Sequence, residues 1–303
     1  MPLTAARIAL PKSVAVATVS KAKDTSTIAQ LSPSEPQLFL DKEYITFDGA
    51  AEAEVVDEGA VKGSYKQALG SVTAKRVKLV VTTRVTNELQ WADDDAKLQI
   101  VSRIQDNQAE ALGRALDYVV YHATNPKTKA ALTGYTKLSD TATQVTYDSK
   151  SDVPTNLDSL ADAVNSVYDI NGIALSRKFA SDIRKVRIPS TMARLYPEVP
   201  MNLQAGSLDG IKASVSGTVN GALATADTHV LAFCGDFSTI KWGIVRDMMA
   251  EIIEYGDPDQ TGSDLKAHNQ VAYRTEMMLA YAVIDPKAIA VLKTPTASTV
   301  PSA

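Results

Sequence analysis

One stretch of the chain has residue types that could hold a metal ion. Asp257-Pro258-Asp259-Gln260-Thr261-Gly262 places carboxylates at its first and third positions and glycine at the sixth, like the start of a calcium-binding loop. Its chemistry would be oxygen coordination of a hard cation. The twelfth position, however, is His268 instead of a bidentate glutamate, and strand-like patterns flank it, so it reads as a plain turn between strands. Asp93, Asp94 and Asp95 stand ahead of a helical pattern, where carboxylates complement unpaired backbone N–H groups and the positive end of the dipole. That triplet reads as a helix start, not a metal site. His122, His229 and His268 lie far apart, and no serine or cysteine sits in a recognised nucleophile motif, so a hydrolytic triad is unsupported. The run GSLDG, Gly206 to Gly210, is neither a phosphate loop nor a nucleophile elbow and reads as a turn. Cys234 is the single cysteine, so it makes no internal disulfide and points to a reducing compartment. No cofactor and no resident metal are expected.

The charges exclude another class. The chain has 31 basic and 35 acidic residues, interspersed along it, whereas a nucleic-acid surface needs a clustered basic excess. With 45% hydrophobic residues it can bury a core, and 303 residues suit one large or two ordinary domains. Arg7 to Val19 begins like a signal peptide, but Pro11 and Lys12 interrupt its apolar run. No apolar stretch approaches the ~20 residues that cross a bilayer. A folded, soluble protein is expected.

The elements that position these groups follow from periodicity. Met1 to about Glu43 is rich in Ala, Ser, Thr and Pro and reads as an extended arm, and the last eleven residues read as a solvated tail. Gly59 and Gly63 mark Asp57 to Lys66 as a hairpin tip, whose return arm is one long strand, Ser71 to Thr86, with Val77, Leu79, Val81 and Val85 on one face. A long helix follows from Asp93 to His122, carrying Leu98, Val101, Ile104, Leu112, Ala115, Leu116 and Val119, with Asn125-Pro126 closing it. Next comes a helix with Leu157, Leu160, Ala161, Val164 and Val167, ended by Asn171-Gly172. A short strand, Ile173 to Leu175, meets Ser176 as N-cap of a helix burying Phe179, Ile183 and Val186. Strands carrying Ile240, Trp242 and Ile244, and later Val271 to Val283, close the chain. Trp91 and Trp242 are expected in the core or in subunit contacts.

Five short motifs occur in this frame. They are Glu58-Gly59-Ala60-Val61-Lys62, the junction KRVKLVVTTRVTNEL, the segment IALSRKFASDIRKV, Gly235-Asp236-Phe237, and the closing set Asn269, Val271, Arg274, Glu276, Pro286, Ala288 and Ile289. In this order and spacing the chain resembles, over nearly its whole length, the major capsid proteins of tailed bacteriophages, with the Hong Kong 97-like fold. The resemblance implies an α+β protein with an N-terminal arm at 1–48, an extended loop and its strands at 49–87, and a peripheral domain with spine helix at 88–150. It further implies an axial domain at 151–235, peripheral strands and turn at 236–280, and a return to the axial domain with the tail at 281–303.

The implied function is structural and not enzymatic: self-assembly as pentamers and hexamers into an icosahedral shell around phage double-stranded DNA, with virion localisation and assembly in the host cytoplasm. Many relatives carry a scaffolding extension before the arm, so a separate scaffolding protein, or none, is expected here, together with a portal protein and a decoration protein on the outer surface. Glu58, Gly59, Lys62, Gly63 and Tyr65 are the implied intersubunit loop residues. In some members a loop lysine attacks a neighbour's asparagine while a buried glutamate takes the proton, and Lys62, Asn269 and Glu276 stand at the matching places. The same residues serve equally in ion pairs, Lys62 with a neighbour's carboxylate and Glu276 with a strand arginine such as Arg274. Two alternatives stay open: an encapsulin-like compartment enclosing enzymes, and a soluble two-domain enzyme.

Overall fold

The computed structural model describes residues 26–36, 42–48, 53–64, 68–96, 100–221, 227–246 and 250–295. Tyr65 and Leu98 lie outside the described residues. Ser26 caps the short helix α1 (Thr27–Leu31) by accepting from the Ala29 N–H. Ile28 and Leu31 are buried, so this part of the expected arm belongs to the core.

β1 (Glu43–Asp48) pairs antiparallel with β2 (Ala68–Thr73) in a two-stranded ribbon, Glu43 opposite Thr73 and Asp48 opposite Ala68. β1 was expected to close the arm; its unbroken six-residue pairing makes it half of the hairpin. The single long strand expected from Ser71 is also divided. Ala74, buried against Ala280 and Ala282, separates β2 from β3 (Lys75–Thr86), and β3 joins a different sheet. Within β3 the expected alternation holds, with Val77, Leu79 and Val85 buried.

α2 (Asn87–Ala96) starts directly off β3, because the Thr86 hydroxyl accepts from the Leu89 N–H at 3.4 Å and Glu88 occupies the first turn. Asp93 to Asp95 therefore lie in the second half of this helix, not at its start. α3 (Ile100–His122) has 23 residues and spans about 34 Å at 1.5 Å each. It stops before Asn125-Pro126: Ala123 turns left-handed at φ +46, and the Thr124 N–H folds back onto the Tyr118 C=O at 3.2 Å.

α4 (Leu138–Thr141) and β4 (Thr143–Thr146) follow, two short elements that no periodicity in the sequence marks. α5 (Val153–Asn165), capped by Asp152, ends six residues earlier than expected, and Val167 is 75% exposed. Asn171 instead accepts from the Phe237 N–H at 2.8 Å, and Gly172 opens β5 (Gly172–Leu175), where a Cβ would meet the Phe237 ring at 2.9 Å. Ser176 caps α6 (Arg177–Lys185) as expected, accepting from the Phe179 N–H at 3.3 Å; Phe179 and Ile183 are buried and Val186 is half-buried. Asp209 and Gly210, both at positive φ, turn β6 (Ser207–Leu208) into β7 (Ile211–Val215). The remaining strands are β8 (Val230–Gly235), β9 (Ile240–Arg246), β10 (Ala250–Ile253), β11 (Gln270–Val283) and β12 (Ile289–Lys293).

Two sheets carry the body. β11 pairs antiparallel with β3 on one side and with β10 and then β9 on the other. The second sheet runs β4-β12-β8-β5-β7-β6. Leu112, Leu116 and Val119 of α3 pack on Val77, Leu79, Met277 and Leu279, while α5 and α6 cover the six-stranded sheet through Leu160, Val164, Phe179 and Ile183. Each such side chain contributes roughly 1.5–3 kcal/mol by burial. The mixed helix and sheet architecture expected from the sequence is present. Among the described residues no helix is long and apolar enough to cross a membrane.

Candidate intersubunit site on the hairpin and the long sheet

The β1–β2 ribbon shows its inner face to the body and its outer face to solvent. Tyr44 and Val72 pack toward Ala74, Ala280 and Ala282. On the other face Ile45 is 68%, Phe47 65% and Leu69 69% exposed, and Phe47 stands directly opposite Leu69. Three large apolar side chains on one strip are an unburied area that a folded lone chain does not use.

At the tip, Gly59 takes φ +83 and the Ala60 N–H donates to the Asp57 C=O at 3.0 Å, giving the turn its glycine requirement. Glu54 reaches across to accept from the Gly63 N–H at 2.8 Å. Glu58 and Lys62 are exposed on this tip.

The structure does not bring Lys62, Asn269 and Glu276 together within one chain. Asn269 precedes β11 in a left-handed conformation; its amide donates to Glu88 Oε1, and its Oδ1 accepts from Asn87 Nδ2 at 2.7 Å. Glu276 is seven residues along the extended strand, on the order of 20 Å away. Its carboxylate pairs with Lys78 Nζ at 2.9 Å, not with Arg274. Arg274 instead donates to Thr82 Oγ1 at 3.1 Å and the Pro258 C=O at 2.6 Å. The sequence reading missed Lys78 because strand register, which sets cross-strand neighbours, is not written in the periodicity.

The calcium-like turn is closed by a side chain. Arg84 of β3 sends its Nη2 to Asp257 at 2.5 Å and also bonds Asp259, while its Nη1 donates to the Ser263 C=O at 2.9 Å. Burial works against ionisation of Asp257, but N–H bonds from Thr261 and Gly262 hold its carboxyl below the usual range. A guanidinium thus bridges the two carboxylates, and the segment is a turn between β10 and β11, as expected.

A second buried node lies on α3. Asp117, fully buried, accepts from the Thr27 N–H at 3.0 Å, the Thr27 hydroxyl at 2.8 Å, the Ile28 N–H at 3.2 Å, the Thr218 hydroxyl at 2.6 Å and the Ser26 hydroxyl. Burial lifts its pKa, and the Ser26 and Thr218 hydroxyls and the Thr27 groups pull it back. His122, one turn on, places Nε2 3.1 Å from both the Thr218 and Val219 carbonyls. His229 faces Thr294, and His268 faces Ser263. Cys234 is buried, which pushes its thiol up to about 12. Trp242 is buried and donates to the Ser32 C=O at 3.2 Å, whereas Trp91 is 57% exposed.

The phage capsid family model matches residues 8–294. Among solved structures, a chain of Mycobacterium phage Ogopogo is 32% identical, covering 89% of this chain and 92% of that one at a TM-score of 0.80. A chain of Gordonia phage Cozz is 25% identical, with 89% and 87% covered and a TM-score of 0.74. The capsid of a native GTA particle, 15% identical with 98% and 95% covered at a TM-score of 0.58, shares the fold. No curated protein matches the chain. A family match spanning nearly all residues, over a body built to leave an apolar hairpin uncovered, places this chain in the phage capsid family, as a major capsid protein that forms an icosahedral shell and resides in the virion.

Proposed function

We propose that the chain assembles as pentamers and hexamers and encloses double-stranded DNA, with the hairpin of each copy lying on a neighbour. The observation that carries this reading is the outer face of the β1–β2 ribbon, where Ile45, Phe47 and Leu69 are each about two-thirds exposed. Covering them on a second copy adds roughly 1.5–3 kcal/mol per side chain, and a closed shell repeats that contact many times. Glu58, Gly59, Lys62, Gly63 and Tyr65 would form the reaching tip. The net charge of −4 suits a wall that encloses phosphate without adhering to it. Assembly would take place in the host cytoplasm with a separate scaffolding protein and a portal, and a decoration protein would bind outside. The chain's role is structural and not catalytic.

Negative-stain electron microscopy of the purified chain tests this. Closed shells or five-fold and six-fold rings are expected, and a uniform monomer under all assembly conditions, scaffolding protein included, would sink the reading. Nuclease-resistant DNA in shells from infected cells separates a genome container from an enzyme compartment.

A further inference from the structure

Among the described strands, β3 is paired on one side only. Its register with β11 is unbroken, from Lys75 opposite Tyr281 to Thr86 opposite Gln270, and the next residue, Asn87, donates its N–H to the Asn269 C=O at 2.9 Å. In an antiparallel pair, residues that exchange backbone bonds alternate with residues that do not. The odd-numbered residues of β3 therefore bond to β11. The N–H and C=O groups of Lys78, Val80 and Thr82 point out of the sheet. The Tyr135 hydroxyl agrees with this assignment, donating at 2.8 Å to the C=O of Arg76, another even-numbered residue.

Along that edge runs a groove of about 600 Å³. One wall is the consecutive run Val77 to Thr82, and the other is Ala111, Arg114 and Ala115 of α3 with the loop after the helix. A trough between a strand edge and a helix can take up an added strand, with main-chain bonds supplying affinity and side-chain pockets supplying specificity.

We propose that this edge receives the limb Ala53–Asp57 of a second copy as an added strand. The proposal rests on the capsid reading and names where the hairpin locks. Among the described residues, the one backbone–backbone bond made within 53–64 is Ala60 N–H to Asp57 C=O, and the limb Ala53–Asp57 makes no ladder with any described strand. Its sequence, A-E-V-V-D, has two adjacent β-branched residues, and Val55 is 98% exposed. Glu54, Asp57 and Glu58 are opposite in sign to Lys78, Arg114 and Lys127 of the groove, and Lys127 has no carboxylate partner among the described residues. The N-terminal stretch, with Lys12, Lys21 and Lys23, has the same sign as the groove and fits it worse. The limb of the same chain is excluded by connectivity: β2 does not pair with β3, so the chain does not double back at Ala74 and the ribbon leads away from residues 77–82.

Residue-resolved hydrogen exchange on unassembled chain and on assembled particles is the test. The amides of Lys78, Val80 and Thr82 should exchange at least about 100-fold more slowly in particles. Equal rates overturn the proposal. Val80→Pro removes an N–H that points away from β11, a place where an edge strand tolerates proline. It should keep the thermal transition while particle yield falls about tenfold or more. Folded Val80→Pro with undiminished yield also overturns it, and if the variant does not fold, the exchange comparison decides. Replacing Ala53–Asp57 by glycine and serine should abolish the protection; protection that survives shows a different occupant and defeats the assignment. Should the wild-type chain form no rings or shells, the capsid reading fails separately. The edge is then probed in the unassembled chain with a synthetic Ala53–Ser64 peptide, where no slowing at the three amides overturns the docking.

Discussion

Thr218 donates its hydroxyl to Asp117 at 2.6 Å, and through this bond the loop after β7 is fixed to α3. The same carboxylate holds the start of α1 through Ser26, Thr27 and Ile28, so one buried group joins the N-terminal segment, the long helix and the six-stranded sheet. Removing it leaves several buried donors unpaired, each costing about 1–3 kcal/mol. Asp117→Ala should destabilise the chain by about 3 kcal/mol or more, and protease should cut first near residues 26–36. Both are read from urea unfolding and mass spectrometry; an unchanged midpoint contradicts the node.

His122 sets a pH dependence. Burial lowers its pKa from 6.5 to about 4, with carbonyl bonds to Thr218 and Val219 opposing that shift. Between those values the unfolded chain binds a proton that the folded chain does not, so stability is full above about pH 6.5 and falls as pH drops toward 4. Each pH unit inside the window costs about 1.4 kcal/mol, for a total of about 3 kcal/mol. Asp117, whose pKa is raised, acts with the opposite sign at the acid end. Comparing urea midpoints at pH 7 and pH 5, His122→Asn should lose most of the difference shown by the wild type.

Arg84 occupies the place between Asp257 and Asp259 that a cation would take. Millimolar calcium should therefore leave the thermal midpoint of the wild type unchanged. Arg84→Ala should lower that midpoint, and Arg84→Lys should not restore it, because an ammonium lacks the planar fork that bridges two carboxylates and a carbonyl. Differential scanning fluorimetry with and without calcium checks both; a calcium-dependent rise in the wild type counts against the bridge.

Asn269 and Glu276 bear on covalent locking. A Lys62–Asn269 bond would form from Lys62 Nζ to the Asn269 side-chain carbon with loss of ammonia. The carboxylate at Glu276 is engaged by Lys78, and the Asn269 amide is held by Glu88, so neither group is presented free to an incoming lysine. Particles boiled in SDS should thus run as single chains. A ladder of multiples that collapses in Lys62→Arg would establish the bond.

The sequence was most legible where one residue acts locally. Ser176 as a cap and Val77 and Leu79 as a buried face follow from side-chain chemistry within a few residues, whereas of the run Gly206 to Gly210, read as a turn, only Asp209-Gly210 turns and Ser207–Leu208 form a strand. What was not legible depends on distant partners. Ala74 ends a strand because Ala280 and Ala282 lie beside it, Asn171 serves Phe237 instead of a helix end, and Arg84 finds Asp257 across 173 residues. In the candidate site the turn at Gly59 follows from a local glycine, while the Glu276 partner does not, since a one-residue change of register changes every neighbour on a strand.

Ile45 and Phe47 give the sharpest separation of folding from assembly. Both lie on the outer face of the ribbon, so Ile45→Ser with Phe47→Ser removes little that the lone chain buries. The unfolding midpoint of unassembled chain should move by less than about 0.5 kcal/mol. In a shell each copy would lose two apolar contacts of roughly 1.5–3 kcal/mol, enough to shift the concentration for assembly by more than about tenfold. Light scattering against protein concentration measures the shift, and calorimetry of the unassembled chain supplies the control. A variant that unfolds early would mean the ribbon face packs within its own chain. A variant that assembles at the wild-type concentration would mean that some other surface carries the contact between copies.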